Sequence, residues 1–178
     1  MALELLTSQV KTRNLVKHCL ACEAVLGALA RRLDGDEAGW RLAGLLHDLD
    51  YDQTVDSPDI HGRIGAEKLE ASGLSADIVH AVLAHADKAP RESALDKALW
   101  CVDPLTGLIV AAALIRPEKK LAAIDAQFVL NRMKEKGFAR GANREQIRAC
   151  ETELGLPLAE FVEISVKAMQ EISEDLGL

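Results

Sequence analysis

Apolar side chains recur every three to four residues along nearly the whole of this chain, and that period constrains the fold more than any other feature. From Thr12 onward, Leu15, Val16, Cys19, Leu20, Val25, Leu26, Leu29 and Leu33 fall on one face of a helix that Asp34-Gly35 ends. Asp36 is placed to cap a second helix through Trp40, Leu42, Leu45 and Leu46, which runs out at His47-Asp48, where the polar stretch LDYDQTVDSPD begins. A third helix is expected over His61 to Ser72, stopped by Gly73, and a fourth opens at Ser75 and carries His80 and His85. Ser93 starts a fifth, in which Pro104 is expected to force a break or kink directly after Asp103. The pattern is completed by Asp125 to Lys136, by a helix opened by an Asn143/Gln146 capping box, and by a last helix from Pro157 to about Leu176. No strand-like alternation, hairpin signal or internal repeat interrupts it, so the fold class is all-α.

The composition sets the core and narrows the partners. Hydrophobic residues make up 49% of the 178 and aromatics only 3%, so a core of Ala, Leu, Ile and Val is implied. Against 28 Asp and Glu stand 21 Lys and Arg, a net charge of -7 that argues against wrapping duplex nucleic acid. A small anionic substrate needs only a local gathering of cations. The start MALELLTSQV has no basic segment followed by a long apolar one, and the longest apolar stretch, Leu105 to Ile115, is too short to span a bilayer, so no membrane is expected. Cys19, Cys22, Cys101 and Cys150 then read as reduced thiols in the core of a cytoplasmic protein, and the lone CxxC lacks a second pair to complete a zinc site.

Chemistry concentrates in His18, the His47-Asp48 pair, His61, His85 and Asp103, which lie on five successive helical segments, each at a helix end or on a face that can turn inward. Imidazole with carboxylate suits Fe, Mn, Zn or a similar divalent cation. His80 projects about 140° around its helix from His85 and reads as structural. Asp50 and Asp52 either serve a site or form an acidic solvated turn, and Tyr51 is equally open. Trp40 and Trp100 read as core. Gly62 and Gly65 allow close backbone approach to a ligand or to a neighbouring helix.

The stretches AGLLHDLD at 43–50, HGRIGAEKLEASG at 61–73, IVHAVLAH at 78–85 and LDKALWCVDPL at 95–105, in this order, resemble the successive signatures of the HDIG-type HD-domain metal-dependent phosphohydrolase superfamily over about residues 13 to 110. The run DPLTGLIVAAALIRPEKKL is shared with a group of predicted HD hydrolases similar to nearly the whole chain. The resemblance implies an HD-type helical bundle over residues 1–119 with additional helices at 120–178, packing on it or forming a homodimer surface. It implies one or two divalent metal ions held by His18, His47, Asp48, His61, His85 and Asp103, with Asp48 bridging. It further implies hydrolysis of a phosphate ester or anhydride in a nucleotide or other small phosphorylated metabolite by a metal-activated hydroxide. Two departures are visible: there is no GYP signature of cyclic-di-GMP phosphodiesterases, and LDYD stands where a lysine-bearing segment is usual. Among the basic residues, Lys88 and Arg63 are expected to act catalytically, and these two with Arg116 and Lys119 to bind substrate phosphate. The same six ligands serve a diiron oxygenase in some members, and a non-catalytic nucleotide-binding module is the remaining alternative.

Overall fold

The computed structural model describes residues 2–178, and among them every regular element is a helix. α1 (Ala2–Gln9), α2 (Arg13–Arg32), α3 (Glu37–Leu46), the single turn α4 (Tyr51–Thr54), α5 (Arg63–Ala71), α6 (Ala76–His85) and α7 (Ala94–Leu114) form the first part of the chain. A 3-10 turn at Leu121–Ala123 leads to α8 (Ala126–Met133), α9 (Arg144–Arg148), α10 (Cys150–Glu153), α11 (Leu158–Glu171) and α12 (Ser173–Leu176). The all-α expectation holds, while α1 had no counterpart in the apolar pattern read from Thr12 onward.

Helix starts follow their capping residues. Asp36 Oδ1 accepts the Ala38 N–H at 3.2 Å, and Asp125 Oδ1 accepts that of Phe128 at 2.7 Å. Ser93 and Asp96 close a reciprocal capping box over the first turn of α7. α5 stops before Gly73, which adopts a φ of +78°.

α7 is the axis of the bundle, burying Leu99, Val102, Leu105, Leu108, Ile109 and Ala112. It is long and apolar enough to cross a membrane by length and composition, which the shorter stretch read from the sequence did not show. Its neighbours α2, α6 and α8 to α11 cover that surface here, as befits the central helix of a bundle. A single apolar cluster joins Leu26, Leu29, Leu99 and Leu105 to Val129, Ile147, Phe161 and Met169, so the helices beyond residue 120 share the core of those before it. A second cluster, with Leu6, Val10, Leu46, Leu49, Leu69 and Val82, lies under α1, α3 and α5.

Four expectations are corrected. α7 runs through Pro104 without ending. Proline offers no N–H to the Trp100 carbonyl one turn back, and the side-chain amide of Gln146 on α9 donates to that carbonyl at 2.5 Å instead. The Gln146 side chain is therefore not closing a capping box; Asn143 Oδ1 alone caps α9, accepting the Glu145 and Gln146 N–H groups at 3.1 and 3.2 Å. α8 ends at Met133, a turn early, because Lys134 and Glu135 bond back three residues rather than four. The last helix is split at Ile172 into α11 and α12.

Candidate metal centre

Close helix approach builds the centre. A Cβ on Gly44 would lie 2.7 Å from the Cys22 carbonyl oxygen, so only glycine lets α3 sit this near α2. That contact sets His18 of α2 against His47 at the end of α3, with their Nε2 atoms 3.2 Å apart. Gly62, at φ +80°, lies against α6; a Cβ there would meet the Ala86 Cβ at 2.8 Å and the Val82 carbonyl at 3.1 Å. His61 is thereby turned toward His85, the last residue of α6, with ring centroids 5.2 Å apart. Asp103 comes from the middle of α7.

Every ring of this group has its Nδ1 engaged from outside. His47 Nδ1 donates to the Gly44 carbonyl at 2.8 Å, and His85 Nδ1 to the Val82 carbonyl at 2.5 Å. His61 Nδ1 donates to Asp50 Oδ1 at 2.9 Å. His18 Nδ1 lies 3.0 Å from the Thr106 hydroxyl, which itself donates to the Asp103 carbonyl. All four Nε2 atoms consequently face two carboxylates. Asp48 Oδ2 lies 3.7 Å from His18 and 3.5 Å from His47, and Asp48 Oδ1 lies 3.4 Å from His61 and 3.6 Å from His85. Asp103 Oδ1 is 3.1 Å from His18 and 4.0 Å from His47. The His85 Nε2 is buried and has no hydrogen-bond partner, an orphan that a cation would satisfy.

Electrostatics match the geometry. Burial acts to raise the Asp48 carboxyl, but His47 and then a hydrogen bond from His61 hold it well below the usual carboxylate range. Burial brings the His47 ring down to about 4, so it is neutral at physiological pH. The His61 ring goes the other way, to about 9, because hydrogen bonds to Asp48 and Asp50 outweigh its burial. The donors fit a divalent cation: neutral or displaceable imidazoles with lone pairs converging on carboxylates, and no lysine or arginine among them.

The other residues singled out in the sequence fall into place unevenly. Asp50 is no solvated turn: it is fully buried and its second oxygen accepts the Gly65 N–H at 2.8 Å. A Cβ on Gly65 would come 3.4 Å from that carboxylate, in bare van der Waals contact with it. Asp52 serves the backbone, accepting the Lys11 and Thr12 N–H groups at 2.7 and 3.0 Å. Tyr51 is exposed and packs edge-on against His61. His80 pairs with Asp96 at 3.1 Å, away from His85. Arg63 and Lys88 follow His61 and His85, and neither side chain has a hydrogen-bonding or ionic partner among the described residues. Arg116 and Lys119 are not brought to the centre: they follow the end of α7 at Leu114, about 16 Å of helical rise past Asp103, where Arg116 packs on Phe128 and pairs with Glu118. Two contacts escaped the sequence reading. Thr106, one turn past Asp103, holds His18, and the buried Cys22 thiol lies 3.8 Å from His18 Nε2, making His18, Cys22 and His47 a further donor group. Beside His18 a cavity of about 360 Å³ opens, walled by Lys17, Thr106, Val110, Leu114 and Leu176.

The HD domain model matches residues 15–127, which hold all six of these histidines and aspartates. The chain belongs to the HD-domain family. It is similar to ribonuclease Y of Oleidesulfovibrio alaskensis, at 32% identity over 139 residues, 75% of this chain and 26% of that protein. It is also similar to ribonuclease Y of Nitratidesulfovibrio vulgaris, at 34% over 98 residues, 54% of this chain and 18% of that one. With ribonuclease Y of Desulforudis audaxviator it shares 36% over 75 residues, 41% of this chain and 14% of the relative. This HD-domain chain thus spans about a quarter or less of the length of these curated relatives.

Proposed function

We propose that the chain is a metal-dependent phosphohydrolase that cleaves phosphodiester or phosphoanhydride bonds, with RNA or a nucleotide as its substrate class. One observation carries this reading: four histidines, each with Nδ1 engaged by an outer partner, aim Nε2 at the two oxygens of Asp48 and at Asp103. Oδ2 of Asp48 with His18, His47 and Asp103 would hold one divalent cation, and Oδ1 of Asp48 with His61 and His85 a second. Such cations lower the pKa of bound water toward neutrality and offset negative charge on phosphoryl oxygens. Asp48 stays ionised between them, and Asp50 keeps the His61 lone pair on the metal side. Arg63 and Lys88, unpaired and two and three residues past His61 and His85, neutralise the phosphate as charge builds on the leaving group. The cavity beside His18 takes the uncharged part of the substrate, a base or another apolar group. The ribonuclease Y name of the relatives favours RNA over a small metabolite.

The test is elemental analysis of protein purified without chelator, together with hydrolysis of bis(p-nitrophenyl) phosphate and a short RNA. We expect about two first-row metals per chain and metal-dependent hydrolysis that His47→Ala and Asp48→Ala both abolish. Failure to load Mn, Fe or Zn on reconstitution would sink the reading, as would full activity in either variant. Iron with substrate-dependent oxygen consumption and no hydrolysis of either phosphodiester would replace it with an oxygenase.

A further inference from the structure

Residues 132–148 hold six cations and two carboxylates, in a chain whose net charge is -7. This segment lies beyond the residues that the HD domain matches. Its cations are not equivalent. Arg132 is engaged by Glu135 at 2.7 Å, and Arg144 braces a turn from inside, donating to the Phe138 carbonyl and to those of Ala139 and Ala142 at 2.5 and 2.6 Å. The braced turn holds Ala139 at φ +40°, a left-handed conformation that a non-glycine residue rarely adopts. What the turn presents is Arg140. Lys136, Arg140 and Arg148 are exposed and have no hydrogen-bonding or ionic partner among the described residues.

These three cations line a path to the metal centre. Lys136, Arg140 and Arg148 border a surface depression of about 380 Å³. Arg140 and Ala142 are shared with a second depression of about 300 Å³, whose other wall is Asp103, Pro104 and Gly107. Gly107 is shared in turn with the cavity beside His18 and Lys17. A Cβ on Gly107 would meet nothing within 4 Å, so no packing demand explains a glycine in the middle of α7, and the passage across it is open.

We propose that the 134–148 segment is the phosphate-binding track for single-stranded RNA, with Lys136, Arg140 and Arg148 meeting successive phosphates and Arg140 directing the strand across Asp103. The inference rests on the phosphohydrolase reading and names its substrate as a strand rather than a mononucleotide. A flexible single strand follows a line of shallow depressions that a duplex cannot enter, and its unstacked base suits the apolar cavity at the end. No Phe, Tyr or Trp lines the three depressions, so binding along the track is electrostatic and strongly salt-dependent.

The experiment is fluorescence anisotropy of a labelled 12-nucleotide single-stranded RNA, from 50 to 200 mM salt, on the full chain as purified and again with chelator. Each of Lys136→Gln, Arg140→Gln and Arg148→Gln is expected to weaken binding about 3- to 10-fold and to flatten the slope of log affinity against log salt by about 0.7. These side chains are exposed and unpaired, so folding is not at stake, and Lys167→Gln, remote from the track, is expected to bind as wild type. Unchanged affinity and slope in all three variants overturn the proposal. So does a mononucleotide that competes as well as the 12-mer, or an equal loss in Lys167→Gln. The chelated arm separates this result from the metal chemistry: binding that follows the three cations without metal stands even if hydrolysis is never seen, and hydrolysis without that dependence refutes the track alone.

Discussion

Asp50→Asn should loosen the metal centre without touching a ligand. The native carboxylate is fully buried and accepts from two donors, His61 Nδ1 at 2.9 Å and the Gly65 N–H at 2.8 Å. Asparagine keeps the shape but has one acceptor oxygen, and its NH₂ must then face one of those donors. If the oxygen stays on His61, the Gly65 N–H is orphaned. If it turns to Gly65, the amide nitrogen faces His61 Nδ1, and the ring proton moves to Nε2, against Asp48. Either way a charge-assisted hydrogen bond is lost, and the rotamer must either orphan the buried Gly65 N–H or force the wrong His61 tautomer, which costs about 2 to 3 kcal/mol. For a chain of this size that lowers Tm by about 5 to 10 °C. Loss of the outer partner of a ligating histidine should also weaken metal binding about 10- to 100-fold. The assays are thermal denaturation with chelator and competition for Mn or Zn against a chromophoric chelator. A Tm within 1 °C of wild type together with affinity within threefold would refute the assignment of Asp50 as the residue that positions His61.

Gly62→Ala must force a Cβ to within 2.8 Å of Ala86 at a φ of +80°, whereas Gly73→Ala meets a φ of +78° in open space; the first should lose about 2 kcal/mol more than the second in urea denaturation, and equal losses would count against the tight α5–α6 approach. Gln146→Leu should cost about 1 to 3 kcal/mol by orphaning the Trp100 carbonyl. Adding Pro104→Ala, whose N–H can reach that carbonyl, should recover about 1 kcal/mol or more, and strictly additive losses would break the link between them. The His61 pKa, raised to about 9, fixes the sign of a pH effect: its contribution to the stability of metal-free protein is complete below pH 6.5 and lost as pH rises through 9, while metal affinity climbs over that same window as the competing proton leaves. A chelated Tm that rises from pH 6.5 to 9 would contradict this sign.

Much of this was legible because it is periodic. The spacing of Leu15 to Leu33 and of Leu95 to Val102 sets which helix faces turn inward, and with them His18 and Asp103. What was not legible depends on contacts far apart in the chain. Asp50 and Asp52 sit two residues apart in one acidic run, and nothing local says that the first is buried against His61 while the second holds the backbone at Lys11 and Thr12. Pro104 reads locally as a break, and only Gln146, 42 residues on, supplies the donor that lets α7 continue. Arg116 and Lys119 looked promising by proximity in sequence to Asp103, but 1.5 Å of rise per residue carries them to the far end of α7. Arg140 drew no notice, because an arginine between alanine and glycine in a loop has no motif; its setting comes from the Arg144 brace.

A net charge of -7 and the proposed polyanionic substrate are reconciled by distance. At physiological salt the field of an exposed charge fades over about 8 Å, so a strand on the 134–148 segment responds to Lys136, Arg140 and Arg148 and scarcely to carboxylates on the opposite face. Nearer the centre the balance reverses, since Asp48 and Asp103 repel phosphate until divalent cations outweigh them. Track and centre should therefore act in series, and metal-loaded protein should hold the 12-mer more tightly than chelated protein. Arg148 borders only the far depression, so its removal should cost the same fold in affinity with and without metal, within about twofold. A loss from Arg148→Gln that vanishes when metal is removed would mean that the strand reaches this segment only after it is anchored at the centre, and the segment would then be the exit of the path, not its entrance.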